Sequence, residues 1–216
     1  MLIDHTLLLR RQKRSDDVHC LGKCNIQELN SHLNNDTPLT SSDFNEDDVV
    51  NSEVIEHTPI KNDRSAARYV ALQVLYEVDS SGHLVGEVLN EQLSLKELNM
   101  EPLKIEELTE QSKQLLQTIV QGVLENKKTI DRTIQHFATE WPLEQVAIVD
   151  RNILRIAIYE FALTDLTKAP IAIDEAVRLA KWFGSDGSPR FINGVLGTVA
   201  SDLATVKKQL AGKEDI

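Results

Sequence analysis

Two carboxylates embedded in an apolar run are the first groups in this 216-residue chain that could do chemistry. Asp150 and Glu160 lie within VAIVDRNILRIAIYEFAL, residues 146–163. Ten positions apart on a helix, they stand about 280° round the wheel, 80° by the shorter way, and about 15 Å apart along the axis, so they do not converge on a substrate as an acid/base pair. A carboxylate inside an apolar arc must find a partner or stay near the surface. Glu160 therefore reads as an internal ion pair or hydrogen bond. Asp150 sits in an early turn, where the helix dipole favours it, and is read as able to emerge at an edge and meet another protein.

The other reactive types lead nowhere catalytic. His83 and His136 are isolated, and the chain has no Gly-rich phosphate loop, nucleophile elbow or His-Glu-x-x-His. The only cysteines, Cys20 and Cys24, stand beside His19 with no second pair following, which favours a plain tail over a metal site and fits a reducing cytoplasm. The loop Ser185-Asp186-Gly187-Ser188 reads as a helix cap before it reads as an anion site. Arg64, Arg68, Leu72 and Tyr76 form a row at steps of four, which on periodicity alone is a solvated edge with snorkelling arginines. No enzyme, cofactor or metal is expected.

These groups need elements to hold them. Residues 1–60 are polar, carry five basic and eleven acidic residues, and contain one aromatic, Phe44. Such a segment buries too little apolar surface to offset its ordering entropy, and a disordered extension is expected. Its basic cluster, Arg10, Arg11, Lys13 and Arg14, reads as solvated. From Lys61 the apolar residues recur at helical steps. Seven helices are expected, near 64–78, 85–93, 109–127, 129–137, 146–163 with Pro142 in the first turn, 170–183 and 188–203, the tail fraying from Lys207. Asp174 and Arg178 make an i, i+4 pair, and Thr109 and Ser188 are candidate N-caps. Gly194 and Gly197 fall mid-helix, a placement that usually signals close approach by another backbone. The 146–163 helix is apolar round most of its girth and should be a buried hub, with Arg151, Asn152, Arg155 and Tyr159 on its narrow outer face. No segment alternates long enough to be a strand, no run approaches a membrane span, and the net charge of −11 advertises neither nucleic acid nor membrane.

Three blocks carry a resemblance: Val149–Glu160 (VDRNILRIAIYE), Ala172–Lys181 followed by Phe183-Gly184, and Ser188–Leu196 (SPRFINGVL). With the first helix, from Ala67-Arg68 to Leu75-Tyr76, they resemble the NusB family of transcription antitermination factors over about Lys61 to Leu203. The resemblance implies an all-α, NusB-like fold of two perpendicular three-helix bundles with an extra helix, spanning 61–206. It also implies a non-catalytic protein that binds boxA RNA together with NusE, a ribosomal small-subunit protein. The pair would join an antitermination complex on RNA polymerase during ribosomal RNA transcription, and family members occur as monomers and homodimers.

Carried over residue by residue, Lys61, Arg64, Arg68, Arg190 and Phe191 fall on the RNA side, Tyr76 and Asp150 on the NusE side. Guanidinium groups suit phosphate and an aromatic suits an unstacked base. Two departures stand out: the N-terminal arginine run is thin, and Gly187 stands where many relatives carry an acid. The alternatives are a protein-only helical adaptor and the NusB-like domain of some ribosomal RNA methyltransferases. The latter is disfavoured because the chain ends soon after the domain.

Overall fold

The structure, a computed structural model, describes residues 60, 62–94, 103, 107–139 and 142–210. The extension, with the expected disorder, the basic cluster and the His19, Cys20 and Cys24 group, lies outside the described residues, as does Lys61.

Eight α-helices form among the described residues: α1 (Asp63–Ser81), α2 (Val85–Ser94), α3 (Glu110–Glu125), α4 (Lys127–Phe137), α5 (Ile148–Ile158), α6 (Ala169–Phe183), α7 (Ser188–Ser201) and α8 (Leu203–Leu210). The only strand-like pairing among them is a single parallel bridge between the buried Ile60 and Leu103. Local chemistry sets several boundaries. Asn62 caps α1 by accepting from the Arg64 and Ser65 amides, and Gly82 closes it at φ 72°, a left-handed conformation that suits glycine. Thr109 caps α3 through the Ser112 amide, as its position predicts.

Helix α5 is the hub. It packs against α1, α4, α6 and α7, and every residue from Asn152 to Ala162 is buried. Two expectations for it are corrected. Pro142 does not enter its first turn but heads a separate 3-10 turn, Leu143–Gln145. The supposed outer face is largely internal: Asn152, Arg155 and Tyr159 are buried, and only Arg151 keeps partial exposure.

The end of this hub widens into a π-helical turn, Tyr159–Leu163, in which the Thr164 amide and hydroxyl both reach back to the Tyr159 carbonyl, at 3.1 and 2.8 Å. The Tyr159 ring lies across Gly122 of α3, where a Cβ would collide with the phenol carbons. Burial, reinforced by Glu125 and Glu160, raises the phenol pKa above its ordinary value.

The C-terminus also departs from expectation. The chain breaks helix at Asp202 and restarts as α8, so an eighth helix replaces the expected fraying over 207–210. Val206 is fully buried, and Lys207 pairs with Asp165. Burying one valine, worth roughly 1.5–3 kcal/mol, helps hold a helix too short to stand alone.

Candidate nucleic-acid interface

The arginines divide sharply once they are folded. Arg68 points inward from α1 and grips Glu160 bidentately, Nε to Oε2 and Nη2 to Oε1, both at 2.8 Å. Nη2 also donates to Thr167 Oγ1 at 3.1 Å, Thr167 donates to Glu160 Oε1, and Glu175 lies 3.8 Å from Nη1. The Arg68 side chain is 4% exposed. The expectation of Arg68 as an RNA contact is therefore corrected: its fork is needed to satisfy a carboxylate in the π-helical turn, and breaking that pair would leave a buried charge. Glu160, by contrast, has the internal partner that its position in the apolar run predicts.

Arg155 is claimed in the same way. It binds both oxygens of Asp131 from α4 at 2.7 and 2.9 Å, Asp79 Oδ2 from α1 at 2.6 Å, and Asn152 Oδ1 at 2.9 Å. Lys127 answers the other oxygen of Asp79. Burial pushes the Asp79 carboxyl up, but the Lys127 hydrogen bond and the Arg155 charge outweigh it and hold its pKa below the usual value. Asp79 and Asp131 were not foreseen. An apolar-stripe reading passes over charges that pair across helices far apart in sequence.

Tyr76 and Asp150, expected to face NusE, are 6% and 7% exposed. Asp150 Oδ2 accepts from the Ser188 hydroxyl at 2.8 Å, and Ser188 Oγ in turn accepts from the Ser185 amide at 2.9 Å. The carboxylate thus fastens the start of α5 to the start of α7 and does not form the exposed edge anticipated for it. Ser188 serves this tie, with Gly187 at the N-cap position. Gly184 ends α6 at φ −81°, and its missing side chain makes room for Ser188, which a Cβ there would strike.

Arg64 and Arg190 remain outside. Both are exposed, and among the described residues neither has an ion-pair partner. They border different grooves. Arg64 lines one of about 410 Å³ with Thr109, Gln111, Gln114, Thr118 and Leu166. Arg190 and the half-buried Phe191, together as the sequence places them, line a second of about 340 Å³ between α4 and α7, facing Phe137, Ala138 and Thr139. Phe137 joining this groove went unforeseen, although its place on the Ile130–Ile134 face of α4 was a usable signal. No group of histidines, cysteines and acids among the described residues could hold a metal ion, and no described helix is long and apolar enough to cross a membrane.

An all-helical body with an arginine–phenylalanine groove between α4 and α7 has the character of a small helical nucleic-acid-binding protein. Its residues 65–201 match the NusB family model, and the chain belongs to the NusB family. It is 41% identical over 144 residues to the transcription antitermination protein NusB of Chloroflexus aggregans, spanning 66% of this chain and 89% of that protein. The Bacillus cereus NusB is 38% identical over 140 residues, spanning 65% and 98%. Among solved structures, T. maritima NusB superposes with a TM-score of 0.56 at 28% identity over 66% of this chain and 94% of that one. The NusB in a crystal structure of antitermination factors NusB and NusE with double-stranded RNA shares the fold, with a TM-score of 0.54 at 24% identity over 64% and 96%.

Proposed function

We propose that this chain is a transcription antitermination factor that binds boxA RNA together with NusE and joins an antitermination complex on RNA polymerase, chiefly on ribosomal RNA operons. The observation that carries the RNA part is the α4–α7 groove, where an exposed arginine without an ion-pair partner among the described residues stands beside two phenylalanines. Single-stranded RNA is bound by this combination, cations on phosphate and aromatic faces on unstacked bases. The chain is strongly acidic overall, so its own affinity for RNA is weak and salt-sensitive, and NusE, a basic ribosomal protein, supplies much of the positive surface. Work at the polymerase places the protein in the cytoplasm.

One observation favours a second reading, a helical adaptor that holds NusE without touching RNA: the inward turn of Arg68 removes a cation from an already thin set. Titrating a boxA oligonucleotide with the protein, with NusE and with the pair, at two salt concentrations, separates the two. The expected result is tighter RNA binding by the pair than by either protein, falling steeply with salt. Pair formation without any gain in RNA affinity would establish the adaptor and sink the RNA reading.

A further inference from the structure

Gly194 has no explanation in the packing of the described residues. A glycine inside a helix weakens it relative to alanine, and the usual return is a neighbouring element lying close against the bare backbone. No such neighbour exists among the described residues. A Cβ on Gly194 would meet nothing within 4 Å, the residue is exposed, and its φ lies outside the left-handed region. Gly197, one turn round the same helix, is equally unencumbered. The close approach that these glycines suggest in the sequence is not made by any part of the described chain.

What Gly194 does border is the α4–α7 groove. Arg190 stands four residues before it, Phe191 three before and Thr198 four after, with Phe137 across from them at the end of α4. Gly197 does not line it. At about 340 Å³ the groove is at the small end of the range for small-molecule sites, about 300–1,000 Å³, and suits one planar ring system. None of its described lining residues is acidic, and Arg190 keeps its charge for a ligand.

Resting on the RNA reading above, we propose that this groove is a slot for a single unstacked nucleobase, and that Gly194 is left bare so that the nucleotide can lie against the α7 backbone. Phe191 and Phe137 supply aromatic surface for the base, while Arg190 meets an adjoining phosphate. An acidic peptide could use Arg190, but two phenylalanines beside a bare backbone serve a flat ring better than a flexible side chain. Gly194 thereby becomes a shape-determining residue of the RNA site.

The test depends on two effects of opposite sign. Gly194→Ala and Gly197→Ala are each compared with the unaltered full chain by thermal unfolding. Affinity is then measured for a single-stranded boxA oligonucleotide in the presence of NusE. Both substitutions should raise Tm by about 2–4 °C, because alanine is the better helix former and neither site is crowded. Only Gly194→Ala should weaken RNA binding, by roughly tenfold, while leaving association with NusE alone unchanged. The slot is overturned if Gly194→Ala binds RNA like the unaltered chain. It is equally overturned if both alanines weaken RNA alike, which would point to helix flexibility and not to the groove. Arg190→Ala distinguishes the two levels of failure. If it weakens RNA and Gly194→Ala does not, the slot alone falls; if neither does, RNA binding at this groove falls with it.

Discussion

The interior seams that join α1 to α4, α5, the π-helical turn and α6, and the open groove between α4 and α7, use the same residue type in opposite ways. In the seams, Arg68 and Arg155 have every neighbouring carboxylate engaged: Glu160 and Glu175 for one, Asp79 and Asp131 for the other. In the groove, Arg190 faces phenylalanines and threonines and pairs with no acid among the described residues. A charge surrounded by counter-charges at hydrogen-bond distance is committed to the fold. A charge held beside aromatic surface and open to solvent is kept for something that arrives from outside. Arginine content alone thus says little about RNA binding in this chain; the placement of carboxylates decides which arginines are available.

The comparison breaks first, and most heavily, at Glu160. Replacing it with leucine leaves Arg68 buried without its main partner and should cost about 3–5 kcal/mol in urea unfolding. Combining Glu160→Leu with Arg68→Met removes both charges and should restore most of that loss, because an apolar pair of similar volume can replace a buried ion pair. A single variant within about 1 kcal/mol of the unaltered chain would mean that Arg68 escapes to solvent and is free for a ligand after all.

A smaller effect is expected at the second seam, and it depends on pH. The folded-state pKa of Asp79 is lowered, so its contribution is fully present above the unfolded value, near 3.9, and is lost as pH falls through the folded value. Asp79→Asn should cost about 1–3 kcal/mol near neutrality and should flatten the decline in stability below about pH 4. Denaturant unfolding of both proteins across the acid range checks this. Parallel acid limbs would show that another carboxylate dominates there.

Much of the scaffold is legible in the sequence because apolar periodicity is a local signal. The steps of three and four in α1, α3, α6 and α7, the cap at Thr109, and the Asp174–Arg178 pair at 3.4 Å can all be read one helix at a time. Glu160 is legible for the same reason: an acid inside an apolar arc demands a partner, even though periodicity cannot name Arg68 across 92 residues. What periodicity misreads are the groups whose environment comes from distant chain. Arg68 and Arg155 look like surface residues on their own helices, and only the approach of Glu160, Asp79 and Asp131 turns them inward. Asp150 looks like an edge until Ser188 arrives from another helix. The glycines of α7 show the converse, since a mid-helix glycine signals close approach without saying whether the visitor is part of the chain.

The mildest test sharpens the comparison from the groove side. Arg190→Ala removes an exposed charge with no described intramolecular ion pair, so unfolding stability should move by no more than about 0.5 kcal/mol. Its effect should appear in RNA binding. If the guanidinium meets one phosphate, a plot of log affinity against log salt for the NusE-containing complex should become shallower by about one unit, with similar losses for boxA and for a scrambled oligonucleotide. A loss confined to boxA would instead assign Arg190 to base recognition, and the phosphate would then need a different cation. Arg68→Met within the charge-free double variant provides the contrast, because a residue spent on Glu160 should leave the salt slope where it was. A slope that changed there and not at Arg190 would reverse the assignment of the two arginines.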